Sequence, residues 1–117
     1  MNENYLPEVL LQAGMQVEFD ESKDDKNRYN HKYSLSCAED ILEEIMFGFK
    51  FFIWDFVKNS YERFGEERFK IVTKYGDDHV FLVFTHRTKE DGDVNLRAIS
   101  LRPTHEDEVE AYNNLAS

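Results

Sequence analysis

The 117 residues fit one domain able to bury roughly two-thirds of its unfolded surface, and leave no room within them for a second catalytic domain. An apolar fraction of 41% and an aromatic fraction of 15% exclude a disordered tail, while 32% charged residues give a very polar exterior. The net charge of −10 disfavours general nucleic-acid binding, which depends on phosphate neutralisation by Lys and Arg, so any RNA or DNA contact has to be local.

Cys37, the single cysteine, cannot close an intramolecular disulfide and has no CxxC or Cys/His cluster around it, which argues for a reducing compartment and against structural zinc. The start, Met-Asn-Glu-Asn, lacks the positive flank and apolar run of a signal peptide. The greasiest segment, Ile45 to Phe56, is interrupted by Lys50 and Asp55. A cytoplasmic protein without membrane contact is expected.

Residues 1–14 hold one apolar cluster, Tyr5-Leu6 with Val9-Leu10-Leu11, and read as an N-terminal extension, either a short docking helix or irregular; residues 15–117 read as a single domain. Met15 to Phe19 alternates and suits a first strand. Asp20 is placed to cap a polar helix running to about Tyr33. Ser36 is placed to cap a second helix, in which Ala38, Ile41, Leu42, Ile45 and Met46 fall on one face and Glu39, Asp40, Glu43 and Glu44 on the other. The aromatic run Phe47 to Phe56 fits a continued helix or a strand; Gly48 favours a break followed by an edge strand.

Beyond it the spacing predicts a three-stranded antiparallel meander: Arg68 to Lys74, a turn at Tyr75-Gly76-Asp77-Asp78, Val80 to Arg87, a loop around Asp91-Gly92-Asp93, and Leu96 to Arg102. Val80 to Phe84 is apolar on both parities and should be central, covered on both faces. Pro103 stops the last strand, and a helix from Thr104 or His105 to about Leu115 follows. The expected class is α+β, an antiparallel sheet with N-terminal helices and a C-terminal helix.

No metal-ligand pair, glycine-rich phosphate loop or nucleophile elbow appears, and no cofactor or metal is expected. His79 and His86 have opposite parity on one strand, so they are not placed to share a metal. The residue types of His31, Glu67, Arg68, Arg87, Arg97 and Arg102 suit metal-independent RNA cleavage: a base for the 2′-hydroxyl, cations for the phosphate, an acid for the leaving oxygen. Arginines and glutamates at strand ends also form ordinary surface ion pairs. Arg97 and Arg102 point to opposite faces of a regular strand, so both reach one phosphate only through a bulge or a strand end.

Phe19-Asp20, Lys23, Asn27, His31 and Ser34 follow an opening pattern that resembles the BrnT toxin family. Gly65-Glu66-Glu67-Arg68-Phe69, Thr85 with Arg87, and Arg97-Ala98-Ile99-Ser100-Leu101-Arg102 followed by Glu108 and Tyr112 look like the rest of it, in the same order. The resemblance covers roughly residues 16–112, and its closing spacing is the most specific part. It implies a RelE-like ribonuclease toxin of a bacterial type II toxin–antitoxin pair. Such a toxin inhibits translation by cutting RNA, is neutralised by a BrnA-like ribbon-helix-helix antitoxin, and meets operator DNA only through that antitoxin. By the same resemblance the catalytic set is His31, Glu67, Arg68, Arg97 and Arg102, with Lys23 and Arg87 on the RNA. Arg68, Arg97 and Arg102 would hold the phosphate, and Glu67 or His31 would accept the proton.

The chain departs from the family pattern in having Asn30 and Lys32 beside the histidine and an acidic last helix, His105-Glu106-Asp107-Glu108-Val109-Glu110, where a basic one is usual. That helix repels RNA at short range. The alternative reading is therefore a catalytically inactive interaction protein on the same scaffold that binds a basic protein partner, with a weaker third as an acidic decoy for DNA-binding proteins.

Overall fold

The computed structural model describes residues 2–3, 13–48 and 50–116, with side chains given from Val17 onward. Nearly all of the expected N-terminal extension, including its apolar cluster, lies outside the described residues. The strands are β1 (Asn2–Glu3), β2 (Ala13–Glu18), β3 (Phe52–Phe56), β4 (Arg68–Tyr75), β5 (Asp78–Thr88) and β6 (Val94–Pro103). The helices are α1 (Glu21–His31), α2 (Cys37–Met46), α3 (Ser60–Phe64) and α4 (Glu106–Ala116). The class is α+β, with a six-stranded sheet in the order β1-β3-β4-β5-β6-β2.

β3 to β6 form an antiparallel meander, extending the expected three strands by one on the β4 side. Its tight hairpin passes through Gly76, whose φ of 62° is the left-handed value that a two-residue loop demands. The sheet is mixed rather than purely antiparallel, because β2 runs parallel to β6, pairing Val17 with Leu96 and Glu18 with Arg97.

One face of the sheet carries the main core. Phe69, Ile71, Val80, Leu82, Phe84, Leu96, Ala98 and Leu101 meet Leu35, Ala38, Ile41, Leu42 and Ile45, all buried. The apolar stripe of α2 faces inward as its spacing predicts, and each such side chain contributes about 1.5–3 kcal/mol by leaving water. Ser36 occupies the N-cap position, with αR backbone, but its hydroxyl accepts no capping bond from the helix amides.

α1 docks differently, because it buries only Asp24 and Asn27. Asp20 caps it, accepting from the backbone N–H groups of Ser22 and Lys23, and it ends at Lys32, short of Tyr33, where φ turns to 78°. Asn27 then behaves as a piece of strand: its Nδ2 donates to the Leu101 carbonyl at 2.8 Å and its Oδ1 accepts from the Leu101 N–H at 3.0 Å. The part of β6 beyond β2 thus has its edge satisfied by a side chain rather than by another strand.

The opposite face is only half covered. α4 lays the buried Tyr112 near Ile53 and Val72, with Phe51, Phe81 and Ala111 packed around them. Val80, Leu82 and Phe84 are fully buried, whereas Phe81 and Val83 on the α4 side are not. The central strand is therefore sealed on one face alone. Among the described residues no helix is long and apolar enough to cross a membrane.

Candidate nucleic-acid interface

The uncovered half of the α4 face carries the arginines. Strand register puts Arg68 opposite Thr85 and Thr85 opposite Arg97, one straight row across β4, β5 and β6. The next row on the same face is Lys70, Val83 and Ser100. Neighbouring strands stand about 4.8 Å apart, so Arg68 and Arg97 begin roughly 10 Å from each other with Thr85 between them. Two guanidinium groups on long stems can close that gap onto one anion.

β6 reaches this arrangement through a bulge. Val83 pairs with Ser100 and Phe84 with Ala98, leaving Ile99 without a partner across the strand. The extra residue resets the alternation, so Leu96, Ala98 and Leu101 all enter the main core while Arg97, Ser100 and Arg102 share the other face.

The members of the row differ in how they are held. Arg68 lays its guanidinium 3.8 Å over the Phe64 ring and donates from Nε and Nη2 to Glu66 Oε1 at 3.2 and 3.0 Å. Thr85 is buried and donates from Oγ1 to the Glu67 carbonyl at 2.7 Å. Arg97 has a buried Nε with no hydrogen-bond partner among the described residues. Asp20 lies within its field: the Ser22 hydroxyl, then the Lys23 and Ser22 amides, and then the Arg97 charge hold the Asp20 carboxyl below its usual range. Arg87 is exposed opposite Asn95, one row further on.

Lys23 and His31 come together at the edge of this face. With Lys26, Asn27 and Asn30 of α1 they line a shallow concavity against Ile99 and Ser100. Lys23 and Lys26 thus add positive charge along the edge of β6, beside Ile99 and Ser100. Glu18, Asp55 and Glu66 lie among or beside these rows and moderate it.

Two expected site residues are engaged elsewhere. Arg102 donates from Nη1 and Nη2 to Glu108 at 2.9 and 2.8 Å, gives Nη1 also to the Pro103 carbonyl, and lies 4.0 Å over the Phe81 ring. Its fork anchors α4. Burial raises the Glu108 pKa, but the bonds from Arg102 and the His105 N–H outweigh that and hold the carboxyl below its usual range. Glu67, adjacent to Arg68 in an extended chain, faces the other way, with Oε1 3.8 Å from His86 Nε2. His86 in turn packs on Phe69 and His79 on Tyr112, on opposite faces of β5.

Lys70 and Lys26 also belong to the surface, beyond the residues expected from the sequence. Lys70 has the parity of Arg68, and Lys26 follows Lys23 by one helical turn, so both signals were present. Among the described residues no three His, Cys, Asp or Glu side chains gather as a metal-ligand set. No protein-family model and no curated protein matches the chain. What fold and site define is an α+β domain whose half-open sheet carries a row of arginines.

Proposed function

We propose that this protein is a RelE-like, BrnT-type ribonuclease toxin of a bacterial toxin–antitoxin pair, acting in the cytoplasm and neutralised by a BrnA-like ribbon-helix-helix antitoxin. The observation that carries the reading is the Arg68–Thr85–Arg97 row, an open cationic sheet face on a chain of net charge −10. Arg97 keeps a buried Nε with no hydrogen-bond partner among the described residues, and a guanidinium with an open donor suits a phosphate ligand.

In this reading the RNA phosphate sits between Arg68 and Arg97, whose charge stabilises the equatorial oxygens as the 2′-oxygen attacks phosphorus and the bond to the 5′-oxygen breaks. Lys32 bonds Asp78, seven residues along β5 from Thr85, so His31 beside it lies outside the reach of that phosphate. Solvent takes the 2′-hydroxyl proton and supplies one to the leaving oxygen. Glu67 and Arg102, expected in the catalytic set, take supporting parts: Glu67 orders β4 against β5 and Arg102 holds α4. Lys23 and Arg87 extend the phosphate track. The antitoxin silences the protein by covering the row, and operator DNA is met only through the antitoxin.

Expression without the antitoxin arrests growth, and purified protein cuts RNA in the presence of a chelator. Normal growth together with intact RNA, from a protein shown to be folded, overturns the reading.

A second reading, a non-catalytic module that binds a basic protein, is favoured by α4, where Glu106, Asp107 and Glu110 are exposed while Glu108 turns inward. Under it, RNA stays intact and a basic partner binds with strong salt dependence.

A further inference from the structure

The segment between β3 and β4 folds into the short helix α3, and it leaves aromatic surface beside the arginine row. Tyr61 is 64% exposed and Phe64 39%, and as residues three apart on a helix they share one side. The Phe64 ring lies under the Arg68 guanidinium at 3.8 Å, so α3 is continuous with the row. The ring and hydroxyl of Tyr61 engage no partner among the described residues.

The helix is held in place rather than left to swing. Ser60 Oγ donates to the Val57 carbonyl at 2.8 Å and accepts from the Arg68 N–H at 3.3 Å. Asn59 enters the helix at φ 58° and Gly65 leaves it at φ 71°, both left-handed, the first a value that asparagine tolerates better than most residues. An exposed ring on a fixed helix costs little entropy to use as a contact, because a tyrosine has two side-chain torsions to freeze.

We propose that α3 and the arginine row together form a platform for single-stranded RNA, with an unpaired base stacked on Tyr61 and the adjoining phosphate held by Arg68 and Arg97. The inference deepens the ribonuclease reading and rests on it. Charge complementarity selects the occupant, since the aromatic surface adjoins the cationic row of an otherwise acidic chain. The unpaired state follows from stacking: a ring can only reach a base face that no neighbouring base covers, and in a duplex every interior face is covered.

The test uses the full chain and a short fluorescein-labelled RNA carrying 2′-O-methyl groups, which cannot supply the attacking 2′-hydroxyl, so that binding is read apart from cleavage. Fluorescence anisotropy compares this strand with its duplex over a range of salt. The single strand binds more tightly than the duplex, and Tyr61→Ala weakens it roughly tenfold at every salt concentration, as expected for one lost stack. Tyr61→Phe, which keeps the ring, restores affinity to within about twofold. Arg97→Ala instead flattens the salt dependence, the signature of a lost phosphate contact. If Arg97→Ala weakens binding while Tyr61→Ala leaves it unchanged, or if the duplex binds as well as the single strand, the platform is overturned and the ribonuclease reading survives. If the unsubstituted protein binds neither form, both fall.

Discussion

Arg97 and Arg102 share one face of β6 because Ile99 is unpaired between them. A strand that paired Ile99 in regular register would send one arginine into the apolar core or expel Leu101 from it. Deleting Ile99 takes out the extra residue and leaves Leu96, Ala98 and Leu101 on the core face and Arg97, Ser100 and Arg102 on the other, in unchanged register with β5. The deletion is therefore expected to keep native circular dichroism and amide dispersion in NMR; an unfolded or molten spectrum would refute the role given to the bulge.

The Arg102–Glu108 pair fastens α4 to the sheet, and Glu108 also accepts from the His105 N–H at 2.7 Å, the return half of a capping box. Arg102→Ala is expected to cost about 2 kcal/mol, less than a fully buried pair because both side chains retain some exposure. The Glu108 pKa is lower folded than unfolded, so its contribution is present above the unfolded value of about 4.3 and is lost as pH falls through the folded value. Urea midpoints measured from neutral pH downward should fall for the parent protein. Arg102→Ala should shrink that pH dependence.

Asn27 is buried and gives three hydrogen bonds to backbone: to the carbonyls of Leu101 and Tyr33 and from the Leu101 N–H. Asn27→Ala leaves these groups on an edge that no strand covers, at an expected cost of about 2–4 kcal/mol. Asn27→Asp keeps an acceptor but loses both donors, and is no rescue. Chemical denaturation reads the loss directly.

Two tyrosines link stability to alkaline pH. Burial, then the bond to the Asp78 carboxylate, pushes Tyr33 up to about 12; the bond to Cys37, then burial, pushes Tyr75 to about 12. An unfolded phenol titrates near ~10, so the contribution is complete below that pH and is lost as pH rises through the folded value of about 12. Denaturation midpoints should decline across this window. Tyr33→Phe should flatten the decline, and an unchanged slope would contradict the assignment.

Arg97 has a buried Nε with no hydrogen-bond partner among the described residues, and the proposed function gives that donor to a phosphate. Arg97→Leu is expected to leave Tm unchanged or to raise stability by up to about 1 kcal/mol, because an unsatisfied polar atom is removed. The same change should lower RNA cleavage by at least about 100-fold. Loss of stability in parallel with activity would mean that Arg97 serves the fold.

Much of the local structure was legible in the residues. The spacing of Ala38, Ile41, Leu42 and Ile45 declares α2, Asp20 declares the start of α1, and the alternation from Arg68 to Arg102 declares the meander. These are near-neighbour properties, set by helical and strand periodicity and by the chemistry of caps and turns. α3 was not legible: five residues are too few to show a period, and what holds them is the Arg68 N–H of β4 donating to Ser60 Oγ, a contact that exists only once the strand is in place.

The sequence by itself determined α1, α2, α4 and the strands from β4 to β6, the central position of Val80 to Phe84 and the local clustering of arginines. Tertiary structure alone decided which arginines stand together. Pairing across strands aligned Arg68 with Arg97, the bulge at Ile99 turned Arg102 to their face, and the docking of α4 then bound Arg102 to Glu108. It also set β2 parallel to β6, a relation between segments far apart in the chain. Periodicity tells a side chain which face it takes, but its neighbour on that face comes from register and helix docking, which depend on the whole core closing at once.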